Sequence, residues 1–157
     1  MNKNKTALMK AAELLARQEQ SSERLRKKLL AKKYSVDEVE NAIETLTERN
    51  YLNDEETCKR QFENLYAEEK LSVKQICAKL FQRGFEKNFV ENLIPANFEQ
   101  RELRIAKKFF EKKFANFNIG EVDAKEKFKI KNKIYQHLAT KGFSSEIISE
   151  VMEEFFN

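Results

Sequence analysis

Three glycines, one proline, two cysteines and a single histidine in 157 residues close off several classes of protein. An all-β fold needs frequent turns, and turns draw heavily on Gly and Pro, so a sheet protein is not expected. A zinc centre needs Cys and His at short spacings, but Cys58 and Cys77 form no CxxC pair and His137 stands alone. No nucleophile motif or Gly-rich phosphate loop occurs. The expectation is therefore a non-enzyme with no cofactor and no metal. No apolar run approaches the roughly 20 residues of a membrane-spanning helix. The opening "MNKNKTALMKAAELLARQ" lacks a signal-peptide core and cleavage site. A cytoplasmic protein without membrane contact is expected, with Cys58 and Cys77 acting as small hydrophobes in apolar helical patterns.

What is abundant is charge, 36% of residues, beside 41% hydrophobic residues. Lys, Glu, Leu and Ala are abundant and, with Gln, favour helix. The net charge of +4 is mild and does not by itself imply a nucleic-acid partner. Residues 1–50 carry a net +3, residues 51–98 a net −1 and residues 99–157 a net +2.

Alignment on Tyr34, Phe85 and Phe143 exposes an internal repeat. Nine residues before each stands an aliphatic (Leu25, Ile76, Ile134), and five before each a leucine (Leu29, Leu80, Leu138). Five residues after stand Val39, Val90 and Ile148. A shared apolar skeleton of this kind marks repeated supersecondary units. Each unit reads as helix, short turn, helix, with the turns "KKYS", "RGFE" and "KGFS". Gly84 and Gly142 fall where a helix C-terminus favours a left-handed residue. Lys33 holds that place in the first unit, at some cost in stability. Ser35 with Glu38, and Asn53 with Glu56, are candidate capping boxes; Ser144 and Asn97 are candidate caps.

A further helix precedes each pair, over residues 5–18, 54–69 and 98–114. The core positions expected there are Leu8, Ala11, Ala12 and Leu15; Cys58, Phe62, Leu65 and Tyr66; and Leu103, Ala106, Phe109, Phe110 and Phe114. The predicted fold is all-α: an elongated tandem array of three three-helix repeats, about nine helices and no sheet. The repeats span residues 1–50, 51–96 and 97–157.

One stretch resists this reading locally. "KEKFKIKNK", residues 125–133, alternates lysine with period two, the pattern of a half-buried strand. The repeat overrides it: Ile130, Ile134 and Leu138 form a four-spaced helical core stripe. Lys125, Lys129 and Lys133 then share an outward face. Asp123 with Glu126 marks the helix start, and "ANFNIGE", residues 115–121, the preceding loop.

The first repeat contains "SSERL", "KKLLAKKY" and "ETLTERNYLNDEE", and the second "SVKQICAKLFQRGF". In this order they resemble the RecX family of regulatory proteins, over nearly the whole chain and most strongly over residues 8–95. The departures are Lys33 for the usual Gly, a shifted Arg24–Leu25 spacing and a long Phe- and Lys-rich third repeat. The resemblance implies an elongated all-α repeat protein that binds the RecA recombinase filament. It implies suppression of the filament's ATPase, strand exchange and coprotease activities, in DNA repair and the SOS response. A monomer is expected.

The repeat also aligns a basic column. Lys28, Lys79 and His137 occupy one equivalent position, and Lys32, Arg83 and Lys141 another, one helical turn later. Lys28, Lys32, Lys79, Arg83 and Lys141 are the candidate partner-binding residues, for acidic protein surface or DNA phosphate. Lys32, Arg83 and Lys141 also lie near helix C-termini, where cations are favoured in any case. A second basic cluster, Arg101, Arg104, Lys107, Lys108, Lys112 and Lys113, is balanced in sequence by only Glu102 and Glu111; its lysines read as a solvated face, with nucleic-acid contact as the alternative. A helical DNA-binding module that acts without RecA is the competing function. The third helices "VDEVENAIETL", "KNFVENLI" and "SEIISEVMEEFF" argue against it, being acidic or apolar where a recognition helix is basic. A helical scaffold is the third possibility.

Overall fold

The computed structural model describes residues 5–117, 120 and 122–156 and contains no strand among them. Nine helices follow in order: α1 Ala7–Arg17, α2 Ser22–Ala31, α3 Val36–Glu48, α4 Asp54–Ala67, α5 Val73–Gln82, α6 Lys87–Asn92, α7 Glu99–Phe114, α8 Ala124–Thr140 and α9 Ser145–Phe156. The division into three repeats at residues 50 and 96 remains a proposal from sequence. Packing groups the same helices into two compact units, Met1–Glu63 with Lys79–Leu93, and Asn64–Ala78 with Ile94–Asn157. The boundary runs through α4 and α5, so the middle triplet is shared between the units.

The helix starts follow the capping residues. Ser35 accepts from the Glu38 N–H while the Glu38 carboxylate accepts from the Ser35 N–H, a complete capping box. Asn53 accepts from Glu56 N–H at 3.1 Å, and Ser144 from Ile147 N–H at 3.3 Å. Asn97 does not cap α7. The N-cap is Phe98, already in right-handed helical geometry (φ −79°, ψ −7°) and without a side-chain cap bond, which leaves Asn97 one residue too early. Lys33, Gly84 and Gly142 all adopt positive φ, at 66°, 86° and 91°.

In the first unit Leu25, Leu29 and Val39 are fully buried, with Ala7 and Ala11 of α1 against them. Ala12 is exposed; Leu8, Leu14 and Leu15 pack around the margin. In the second unit Phe110, Phe114, Ile130, Ile134, Leu138 and Ile148 form one core, and Ile105 joins it, a position the sequence pattern missed. Burying each such side chain contributes about 1.5–3 kcal/mol.

The lysine-alternating stretch lies within α8. Asp123 starts the helix by accepting from Glu126 N–H at 2.7 Å. Lys125, Lys129 and Lys133 are exposed, whereas the Lys127 and Lys131 ammonium groups lie 5.9 and 4.9 Å from the Phe156 ring centroid. The preceding loop lies partly outside the described residues, at 118, 119 and 121.

Candidate partner-binding surface

The cations at the ends of α5 and α8 are positioned by two recurring joints. Ser21, the buried N-cap of α2, accepts from Arg24 N–H, and its hydroxyl donates to the carbonyl of Arg83 just past α5. Ser72 repeats the arrangement: it accepts from Gln75 N–H and donates to the carbonyl of Lys141 at 2.6 Å. The glycine after each carbonyl lies against the serine turn. A Cβ on Gly84 would stand 2.8 Å from Ser21 Oγ, and one on Gly142 2.8 Å from Lys74 Cβ. Glycine is required there both by positive φ and by this close approach.

The first joint, in the first unit, brings Lys79 and Arg83 beside Arg24 and Lys27. The four line an open recess of about 360 Å³ with Glu23, Gln82 and Gly84. Arg83 Nη1 donates to Gln61 Oε1 at 2.7 Å, and Lys27 pairs with Glu23 at 3.3 Å. Lys79 is exposed. Lys28 and Lys32, in the same unit, do not line this recess. Lys28 is half-buried, and burial together with the nearby Arg24 guanidinium holds its ammonium below the usual lysine range. Lys32 is the exposed C-cap of α2. Lys141 belongs to the second unit, where its ammonium lies 5.6 Å from the Phe109 ring centroid. Arg24 and Lys27 escaped the sequence reading because their partner element begins some fifty residues downstream in the chain (Val73 onward).

The second basic cluster is not a uniformly solvated face. Arg101 is 4% exposed; its Nε and Nη2 donate to the Tyr66 carbonyl at 3.0 and 2.9 Å, and its guanidinium lies 4.1 Å over the Tyr66 ring. Its neighbour Glu102, also 4% exposed, accepts from the Val73 N–H at 3.0 Å and pairs with Arg101 at 3.2 Å. Arg104 and Lys108 share Glu69, whose carboxyl they hold down to about 2 through their hydrogen bonds. Lys107 pairs with Glu154. Cys58 is fully buried and Cys77 half-buried. Among the described residues no group of acidic, Cys and His side chains is arranged to hold a metal, and no helix is long and apolar enough to cross a membrane.

Helices α2, α5 and α8 joined through serine–glycine contacts define an all-α protein of repeated three-helix domains. The chain resembles the RecX family of regulatory proteins. The family model described as "RecX, third three-helix domain" matches residues 99–152. A regulatory protein RecX of Clostridium botulinum (strain Eklund 17B / Type B) is 29% identical over 98% of this chain and 72% of its own length. One from Actinobacillus pleuropneumoniae serotype 5b (strain L20) is 27% identical over 98% of this chain and 95% of its own. The fold is shared with the crystal structure of RecX from Lactobacillus salivarius, at a TM-score of 0.70 and 21% identity, covering 94% of this chain and 93% of that one. A second solved regulatory protein RecX gives a TM-score of 0.75 at 19% identity, covering 94% and 72%.

Proposed function

We propose that this protein binds the RecA recombinase filament and inhibits its ATPase, strand-exchange and coprotease activities. The supporting observation is a likeness to regulatory proteins named RecX that extends over 98% of the chain. The partner face proposed in the first unit is the recess of Arg24, Lys27, Lys79 and Arg83, flanked by Lys28 and Lys32; Lys141 is its counterpart in the second unit. Dispersed cations of this kind bind through their number, each contributing little.

The test is RecA's DNA-dependent ATPase, titrated with the full chain. Inhibition is expected. Reversing Arg24, Lys27 and Lys79 together should raise the concentration needed by more than tenfold, and reversing Lys28 and Lys32 by less. Exposed charge changes usually alter stability by only about ±0.5 kcal/mol, so folding should survive and circular dichroism will check it. The control reverses Lys125, Lys129 and Lys133. Inhibition lost only in the control would move the partner face to α8. Tight, salt-sensitive DNA binding without any effect on RecA would favour the DNA-binding module instead.

A further inference from the structure

Three basic groups of the second unit converge with no carboxylate paired to them among the described residues. Lys113 lies in the last turn of α7, His137 in the last turn of α8, and Lys141 caps α8. Lys113 Nζ stands 3.1 Å from His137 Nδ1, an approach that needs the imidazole nitrogen to accept and the ring to be neutral. Phe109 and Phe114 frame the imidazole edge-on, with centroids 6.4 and 5.7 Å away. Lys141 Nζ lies 5.6 Å from the Phe109 centroid and Lys113 Nζ 5.8 Å from that of Phe114. Elsewhere on α7, Arg104, Lys107 and Lys108 have acidic partners; Lys113 and Lys141 form no ion pair among the described residues.

These surroundings disfavour the charged imidazole. Burial, then Lys113 from α7, then Lys141 at the end of its own helix hold its pKa below 6.5; among the described residues α9 contributes no charge to it. Like charges gathered beside a titratable ring are unfavourable until an anion arrives. An arriving anion reverses the balance, since the ring can then take a proton from water and donate from both nitrogens.

We infer that Lys113, His137 and Lys141 form a subsite for a backbone phosphate of nucleic acid, at which His137 becomes protonated as the phosphate binds. The nucleic-acid source is favoured by α8 itself. Lys129, Lys133, His137 and Lys141 recur every four residues, about 6 Å apart along the helix, which suits a polymer of regularly spaced charges better than one acidic side chain. The inference rests on the proposed regulator function for where the DNA comes from, the filament.

His137 is the only histidine, so its imidazole proton signals are unambiguous in NMR. The experiment titrates the full chain with pH, alone and with saturating short oligothymidylate, without RecA. DNA should raise the His137 pKa by about one. Affinity should fall several-fold from pH 6 to pH 8, and His137→Gln should abolish that dependence. A Lys113→Gln/Lys141→Gln variant should lower the slope of log affinity against log salt by about 1.4. A His137 pKa unmoved by bound DNA, or absence of DNA binding, would overturn the subsite. Movement with oligoglutamate but not with DNA would overturn it equally, and assign the site to an acidic protein. Because RecA is absent, an unmoved His137 leaves the inhibitor reading intact, and a chain that fails to inhibit RecA leaves the subsite intact.

Discussion

The joint at Gly84 and the joint at Gly142 share one plan but differ in how their second bond is supported. In both, an N-cap serine donates to the carbonyl before a left-handed glycine, and the next backbone N–H of the same helix goes to a carboxylate from a later helix. At the first joint that carboxylate is Asp54, which accepts from Ser22 N–H at 2.8 Å and from the Ser22 hydroxyl at 2.5 Å. Asp54 is half-buried. At the second it is Glu102, buried and accompanied by the buried guanidinium of Arg101, which in turn holds the Tyr66 carbonyl. A carboxylate near water stabilises a helix start with only a hydroxyl beside it. Withdrawn from water, it requires a cation, and the cation requires acceptors of its own.

The largest contrast should come from removing these carboxylates. Glu102→Ala leaves the Arg101 guanidinium without its counter-charge and the Val73 N–H without its acceptor. It is expected to cost about 3–5 kcal/mol. Asp54→Ala, closer to solvent, should cost about 1–2 kcal/mol. Denaturant unfolding of both variants measures the difference, and equal costs would mean that burial does not separate the joints. pH sharpens the test. Burial raises the Glu102 pKa, against the opposing effects of Val73 N–H and Arg101. A carboxyl with a raised folded pKa contributes stability that is present below its unfolded value and lost as pH rises through the folded one. Wild type should therefore lose stability as pH climbs from about 4.5, and Glu102→Gln should flatten that decline.

Next come the glycines. Gly84→Ala and Gly142→Ala each combine left-handed backbone strain with a contact at 2.8 Å, and should cost about 2–4 kcal/mol. The obstacle differs: at Gly84 it is the Ser21 hydroxyl, and at Gly142 the Lys74 Cβ, which is fixed to backbone. Gly142→Ala should therefore be the worse. A double-mutant cycle of Gly84→Ala with Ser21→Ala should recover part of the loss, since the smaller residue at 21 removes the obstructing oxygen. Alone, Ser21→Ala and Ser72→Ala should each cost about 1–2 kcal/mol through the lost cap. Thermal melts falling by about 2–4 °C per kcal/mol would register them.

These joints also mark how far the sequence can be read. Helix periodicity and the aligned aromatics located the nine helices of the described residues, because those signals are local. The left-handed turns at Lys33, Gly84 and Gly142 were legible for the same reason. Why glycine is needed at two of them was not, since the obstructing side chains, Ser21 at Gly84 and Lys74 at Gly142, lie 63 and 68 residues earlier in the chain. The burial of Arg101 was not legible for a similar reason: its acceptor is a carbonyl 35 residues earlier. Of the basic column, Lys79 and Arg83 do share a recess, but with Arg24 and Lys27, across a helix pairing that no local spacing encodes.

Lys33 supplies the smallest test and the most direct one of the joint itself. It occupies the place of Gly84 and Gly142, with φ 66°, on an exposed turn. Its backbone pays the left-handed penalty of about 1–2 kcal/mol for a residue with a Cβ. Glycine would remove that penalty but would gain entropy in the unfolded chain, which opposes it by roughly 0.5–1 kcal/mol. Lys33→Gly should therefore raise stability by only about 0.5 kcal/mol, opposite in sign to Gly84→Ala and several-fold smaller. If Lys33→Gly and Gly84→Ala proved equal and opposite, backbone strain alone would account for glycine at these turns. The serine contact would then contribute nothing. If Lys33→Gly is nearly neutral while Gly84→Ala is costly, most of the requirement at Gly84 is the close approach of Ser21, and the glycine serves the joint more than the turn.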